Sequence, residues 1–157
     1  MMVLKTYVLK NNHSNITHKM NIVIIEDEAY AARRLQNMIL ELDPADKVTI
    51  GLESVTDSVK WFRNNPAPDL IFMDLHLEDD LSFAIFDHVT IACPIVITTA
   101  SDDLSTKAFT LKQIDYLLKP IIQADIVSIL EKYKKLPVSA RSSINASIFA
   151  DIINKNN

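Results

Sequence analysis

With 157 residues the chain is long enough for one domain of ordinary size, and 48% apolar against 23% charged residues makes it globular, not disordered. Twenty acidic against 16 basic residues leave a net charge of −4, which argues against a nucleic-acid-binding face. A single cysteine, Cys93, excludes an internal disulfide, and a single glycine, Gly51, excludes a glycine-rich phosphate loop. No apolar run approaches the roughly 20 residues that span a bilayer.

Residues 1–19 carry no signal-peptide pattern and read as an N-terminal extension; the regular pattern begins at Met20. Asn21 to Ile25 is a short apolar run, the first predicted strand, and it ends in Glu26-Asp27-Glu28. A helix follows, with Ala31, Leu35, Met38, Ile39 and Leu42 at helical spacing, and Asp43-Pro44 closes it. Val48, Ile50 and Leu52 alternate as a second strand with one less-buried face. Ser54 followed three residues later by Asp57 marks a helix start, and Val55, Val59 and Phe62 give that helix an inner face.

The breakers Asn64 to Pro68 precede Leu70-Ile71-Phe72-Met73, four apolar residues that read as a strand buried on both faces. Asp74 follows directly, so it sits at the strand's carboxyl end. After a loop from His76 to Leu81, a third helix is expected over Ser82 to Val89, packing through Phe83, Phe86 and Val89. Pro94 to Thr98 is a fourth strand, with Thr99 after it. Leu104 to Leu111 is a fourth helix, and Ile114 to Leu118 a fifth strand that runs into Lys119-Pro120. The last helix spans Gln123 to Lys135 and presents Ile126, Ile129, Leu130 and Tyr133 on one side. Pro137 stops it.

Five strands alternating with five helices specify βαβ units and a parallel sheet covered on both faces. The expected fold is α/β, a flavodoxin-like doubly wound (βα)5 sheet with strand order 2-1-3-4-5. That order sets the first and third strands side by side and brings Glu26, Asp27 and Asp74 to one rim. Carboxylates converging at short range repel one another and call for a cation, and oxygen ligands that must bridge to phosphate point to Mg²⁺. Thr99 and Lys119, from the next two strand ends, supply a hydroxyl and an ammonium suited to phosphoryl oxygens. Asp74 is then a nucleophile that forms an acyl phosphate.

Plainer readings stand beside these. Asp74 can simply cap the loop after it, and the acids at 26–28 can be helix-start charges. Thr99 can bond local backbone, Lys119 can be a solvated charge, and Tyr116 an ordinary half-buried sheet residue.

Glu26-Asp27, Asp74, Thr99-Ala100 and Lys119-Pro120, in this order and each at a strand end, resemble the receiver domain of two-component response regulators. The wording of Ile25-Glu26-Asp27-Glu28, of Leu81-Ser82-Phe83 with Ile85-Phe86, and of Ile114 to Pro120 is further similar to receivers of the LytTR-type family. The resemblance implies that residues 20–136 are a receiver and that 137–157 are a linker or the start of an output region. It implies that Asp74 accepts a phosphoryl group from a sensor histidine kinase. Asp27, Asp74 and the backbone carbonyl of His76 hold Mg²⁺, and Glu26 contributes through water. Thr99 and Lys119 hold the phosphoryl group, Thr99 and Tyr116 form the switch, and the Lys119–Pro120 bond is cis. The fourth predicted helix, fifth strand and last helix then form the surface that changes, pairs two copies, and controls a DNA-binding output domain outside this chain. Such a protein is cytoplasmic and does not turn over small substrates. Asp80 stands where related loops carry glycine. The competing readings are a receiver-like interaction module that is not phosphorylated, and a small aspartate-nucleophile phosphatase. The latter commonly needs a second acid where this chain has His76.

Overall fold

The structure, a computed structural model, describes residues 19–100 and 115–136. The predicted fourth helix, residue Ile114 and the segments 1–18 and 137–157 lie outside the described residues. Five parallel strands run β1 (Asn21–Ile25), β2 (Lys47–Leu52), β3 (Leu70–Asp74), β4 (Ile95–Thr99) and β5 (Tyr116–Leu118). They lie in the order β2-β1-β3-β4-β5, as the alternation of elements predicted. The helices are α1 (Ala29–Leu42), α2 (Val55–Asn64) and α3 (Gln123–Lys135).

Successive side chains of a strand point to opposite faces, and the core divides accordingly. Ile22, Ile24, Leu70, Phe72 and Val96 pack under Leu35, Ile39, Ile126 and Tyr133 of α1 and α3. Val23, Ile25, Ile71, Met73, Ile95 and Ile97 pack on the other face with Val55 and Val59 of α2. The central strands are buried on both faces, which is why β3 reads as an unbroken apolar run. On α1 the buried small residue is Ala32, and Ala31 is only half-buried.

Leu52 departs from the expected alternation. Val48 and Ile50 pack on the α1 side, whereas Leu52 packs on the α2 side. The cause is a bulge. Val23 pairs with Thr49 but Ile25 with Leu52, and Gly51 takes a φ of 98°. One extra residue in a strand turns the following side chain to the other face, and only glycine adopts that φ without strain. The bulge also brings the Leu52 carbonyl to the Glu26 N–H at 3.0 Å, fixing the first residue of the acidic rim.

The helix expected after Leu81 forms as a 3-10 helix over Ser82–Asp87 and stops two residues short of Val89. Three residues per turn put Ser82 and Ile85 on one face, and these are the fully buried residues; Phe83, Phe86 and Val89 flank the core half-buried. Both expectations for the start of α2 hold: Ser54 accepts a hydrogen bond from the Asp57 N–H at 3.0 Å, and Asp57 places an acid in the first turn.

The last helix is anchored at the opposite pole from Asp74. Lys134 Nζ lies 2.9 Å from Asp46 Oδ2 and also bonds Asp43, and Asp46 Oδ1 accepts the Met20 N–H at 2.8 Å. Burial raises the Asp46 pKa, and the Lys134 hydrogen bond partly offsets that rise. Asp46 is buried and Lys134 mostly covered, so breaking the pair strands a charge. Lys134→Met is therefore expected to cost about 3 kcal/mol near pH 7 in urea unfolding. The loss should shrink as the pH is lowered, because protonating Asp46 removes the stranded charge.

Candidate functional site

The carboxyl ends of β1, β3, β4 and β5 deliver the predicted residues to one rim. β1 pairs with β3 so that Ile25 lies opposite Met73; Glu26 and Asp74 are the next residues along. Thr99 ends β4 opposite Leu118, and its carbonyl accepts the Lys119 N–H at 2.9 Å. The Lys119–Pro120 bond is cis, as the resemblance implied.

Carboxylate oxygens of Glu26, Asp27 and Asp74 all lie within 4.8 Å of one another. Glu26 is 5% and Asp74 8% exposed, so two of the three are nearly removed from water. Lys119 Nζ donates to Asp74 Oδ2 at 2.8 Å and to Glu26 Oε2 at 3.0 Å. Its solvated-charge reading is thereby excluded. Burial would lower the Lys119 pKa, but the hydrogen bonds to Asp74 and Glu26 outweigh it and raise the pKa. Glu26 is pushed up to about 7, chiefly by burial and further by the Asp74 charge, against the lowering effect of Lys119. Among the described residues, three carboxylates thus meet at the rim, and one ammonium bonds two of them. The donor set is oxygen-rich and charge-deficient, which suits a hard divalent cation.

The plainer readings describe part of this geometry. Asp74 does cap its loop, since Oδ1 accepts the His76 N–H at 3.2 Å, while Oδ2 faces Lys119. Glu26 does likewise, accepting the Glu28 N–H at 3.2 Å. The buried Thr99 hydroxyl donates to the adjacent Ala100 carbonyl at 3.2 Å. Tyr116 is half-buried at the core's edge. His76 is exposed and bridges to Leu81, and Asp80 accepts the Leu81 N–H at 2.7 Å. Sequence reasoning gave Glu26 a secondary part. The structure buries it more deeply than Asp27 and bonds it to Lys119, a contact between residues 93 positions apart. Asp79 had no role in the sequence reading, yet it accepts the Val55 N–H at 2.8 Å and the Thr56 N–H at 3.2 Å.

Residues 22–131 match the family model described as the response regulator receiver domain. The chain belongs to that family. Its curated relatives include the sensory transduction protein LytT of Enterococcus faecalis, 30% identical over 125 residues, covering 74% of this chain and 48% of that protein. The sensory transduction protein LytR of Streptococcus agalactiae is 32% identical, covering 74% of this chain and 49% of that protein. The chain therefore spans about half the length of the curated relatives it matches. Among solved structures, a receiver domain from Methylobacillus flagellatus superposes with a TM-score of 0.60 at 24% identity, covering 74% of this chain and 99% of that one. A response regulator receiver protein from Burkholderia phymatum gives 0.63 at 16%, covering 76% and 98%. These structures show the same fold. The receiver is a signalling domain, not a metabolic enzyme acting on small substrates, and no described helix is long and apolar enough to cross a membrane.

The burial of Glu26 makes this receiver's stability pH-dependent. With a folded pKa of about 7 above an ordinary value of 4.5, native Glu26 keeps its proton where the unfolded chain has lost it. In ion-free buffer stability is expected to fall as pH rises across that window, by at most about 3 kcal/mol from this group. In Lys119→Met the Glu26 value should rise further, read by carbon NMR titration of its carboxyl.

Proposed function

We propose that Asp74 is the phosphoacceptor of this receiver, and that a sensor histidine kinase supplies the phosphoryl group. The observation that carries the reading is the three-carboxylate rim with Lys119 bonded to two of its members. An Asp74 oxygen attacks phosphorus, the P–N bond of the donor phosphohistidine breaks, and the imidazole leaves with its electron pair and takes up a proton. An acyl phosphate results.

Asp27, Asp74 and the backbone carbonyl of His76 are the groups that would hold Mg²⁺, with Glu26 contributing through water. The ion would offset carboxylate repulsion and neutralise charge on the transferred group. Lys119, now shared by two carboxylates, is placed to release part of that contact to a phosphoryl oxygen. Thr99 ends the strand beside that of Asp74, and its hydroxyl would turn from the Ala100 carbonyl toward the phosphoryl group. The product adds roughly −1.5 to −2 charge at the rim, by analogy with other phospho-residues. Thr99 moving toward it would vacate space for Tyr116 to turn inward. The surface so altered runs over β5 and α3 and the predicted helix at 104–111, and it would pair two copies. Through that surface the switch would control a DNA-binding output domain outside this chain, in the cytoplasm. The names of the relatives, sensory transduction proteins of which the match covers about half, support such a role.

Acetyl phosphate with Mg²⁺ should shift the protein on a phosphate-affinity gel, and Asp74→Ala should abolish the shift. An equally large shift in the variant would refute Asp74. A protein that is never modified, and shows no site-specific response to Mg²⁺ by NMR, would be the interaction module instead.

A further inference from the structure

The loop between β3 and the 3-10 helix is tied down at two places. At its base His76 bridges to Leu81, the Leu77 N–H donates to the Asp80 carbonyl at 3.0 Å, and the Ser82 N–H donates to the Leu75 carbonyl at 2.9 Å. At its tip the Asp79 side chain reaches the start of α2. There it accepts the Val55 N–H at 2.8 Å, the Thr56 N–H at 3.2 Å and the Thr56 hydroxyl at 3.3 Å. Ser54, the helix's own cap, takes the Asp57 N–H, so the two acceptors divide the unsatisfied donors of that helix end. The bond to the Val55 N–H, aided by those from Thr56, lowers the Asp79 pKa, so the cap is charged at neutral pH.

From this arrangement we infer that Asp79 is a positioning residue: it fastens the loop carrying His76 to α2 and so holds the His76 carbonyl at the rim where a divalent ion would bind. The inference rests on the metal site of the proposed function. Asp79 touches neither the ion nor a reacting atom. Its contribution is to remove loop conformations in which the backbone at His76 drifts from Asp27 and Asp74. The contact joins residues 24 positions apart, so α2 cannot shift at its first turn without pulling the loop.

Ser54→Ala provides the comparison, because it weakens the same helix end without releasing the loop. The affinity of the whole chain for Mg²⁺ alone is measured by calorimetry, and amide exchange of Leu77 and Ser82 by NMR in ion-free buffer. Asp79→Ala is expected to weaken Mg²⁺ binding by five-fold or more and to speed exchange of both amides at least ten-fold. Ser54→Ala should leave both near wild type. Unchanged exchange in Asp79→Ala would overturn the inference, as would equal losses of Mg²⁺ affinity in the two variants. If wild type binds no Mg²⁺, the metal reading falls and the exchange rates alone decide whether Asp79 fastens the loop. Asp79→Asn, which keeps one acceptor for Val55, should lie between wild type and alanine.

Discussion

Lys119 is what allows the rim to exist. Glu26 and Asp74 are both nearly buried, and charges of like sign cannot be desolvated together without compensation. The Lys119 ammonium bridges the pair at 3.0 and 2.8 Å and is itself kept charged by them. Even so, burial and then the neighbouring Asp74 charge leave a Glu26 that resists ionising. A site in that condition is poised toward added positive charge. Its energetic deficit is built into the fold, because the groups are held by parallel strand ends that end at the same level.

The sheet imposes that convergence. Parallel strands with right-handed crossovers put every carboxyl end on one side, and the order β2-β1-β3-β4-β5 makes the strands bearing Glu26 and Asp74 neighbours. Two local devices tune the rim further. The Gly51 bulge lets Leu52 enter the α2 side of the core while its carbonyl holds the Glu26 N–H. Asp74 uses one oxygen to start its own loop and gives the other to Lys119. A single side chain thus shapes the loop and faces the charge.

Much of the tertiary polar framework lies away from the rim and fastens helices to loops. Lys134 ties the end of α3 to the turn after α1, and the carboxylate of Asp115 holds both Lys132 and Tyr133. Asp79 performs the corresponding task at the near pole. Each contact joins groups that are solvated in the unfolded chain, and each matters most where burial leaves its members no alternative partner.

The sequence by itself determined the strands, the topology and the membership of the rim. Apolar runs ending in Glu26, Asp74, Thr99 and Lys119 follow from burial on both sheet faces, a constraint acting residue by residue along the chain. Ser54 as a helix cap was legible for the same reason, since its partner is three positions away. Only the tertiary structure decided that Glu26 is the deeply buried acid bonded to Lys119 and that residues 82–87 wind as a 3-10 helix. It alone turned Leu52 at the Gly51 bulge and set Asp79 on α2. Those outcomes depend on how much water each group loses and on partners 23 or more residues away in the chain, or on the length of chain that must fit between two strands. Local pattern carries none of that information.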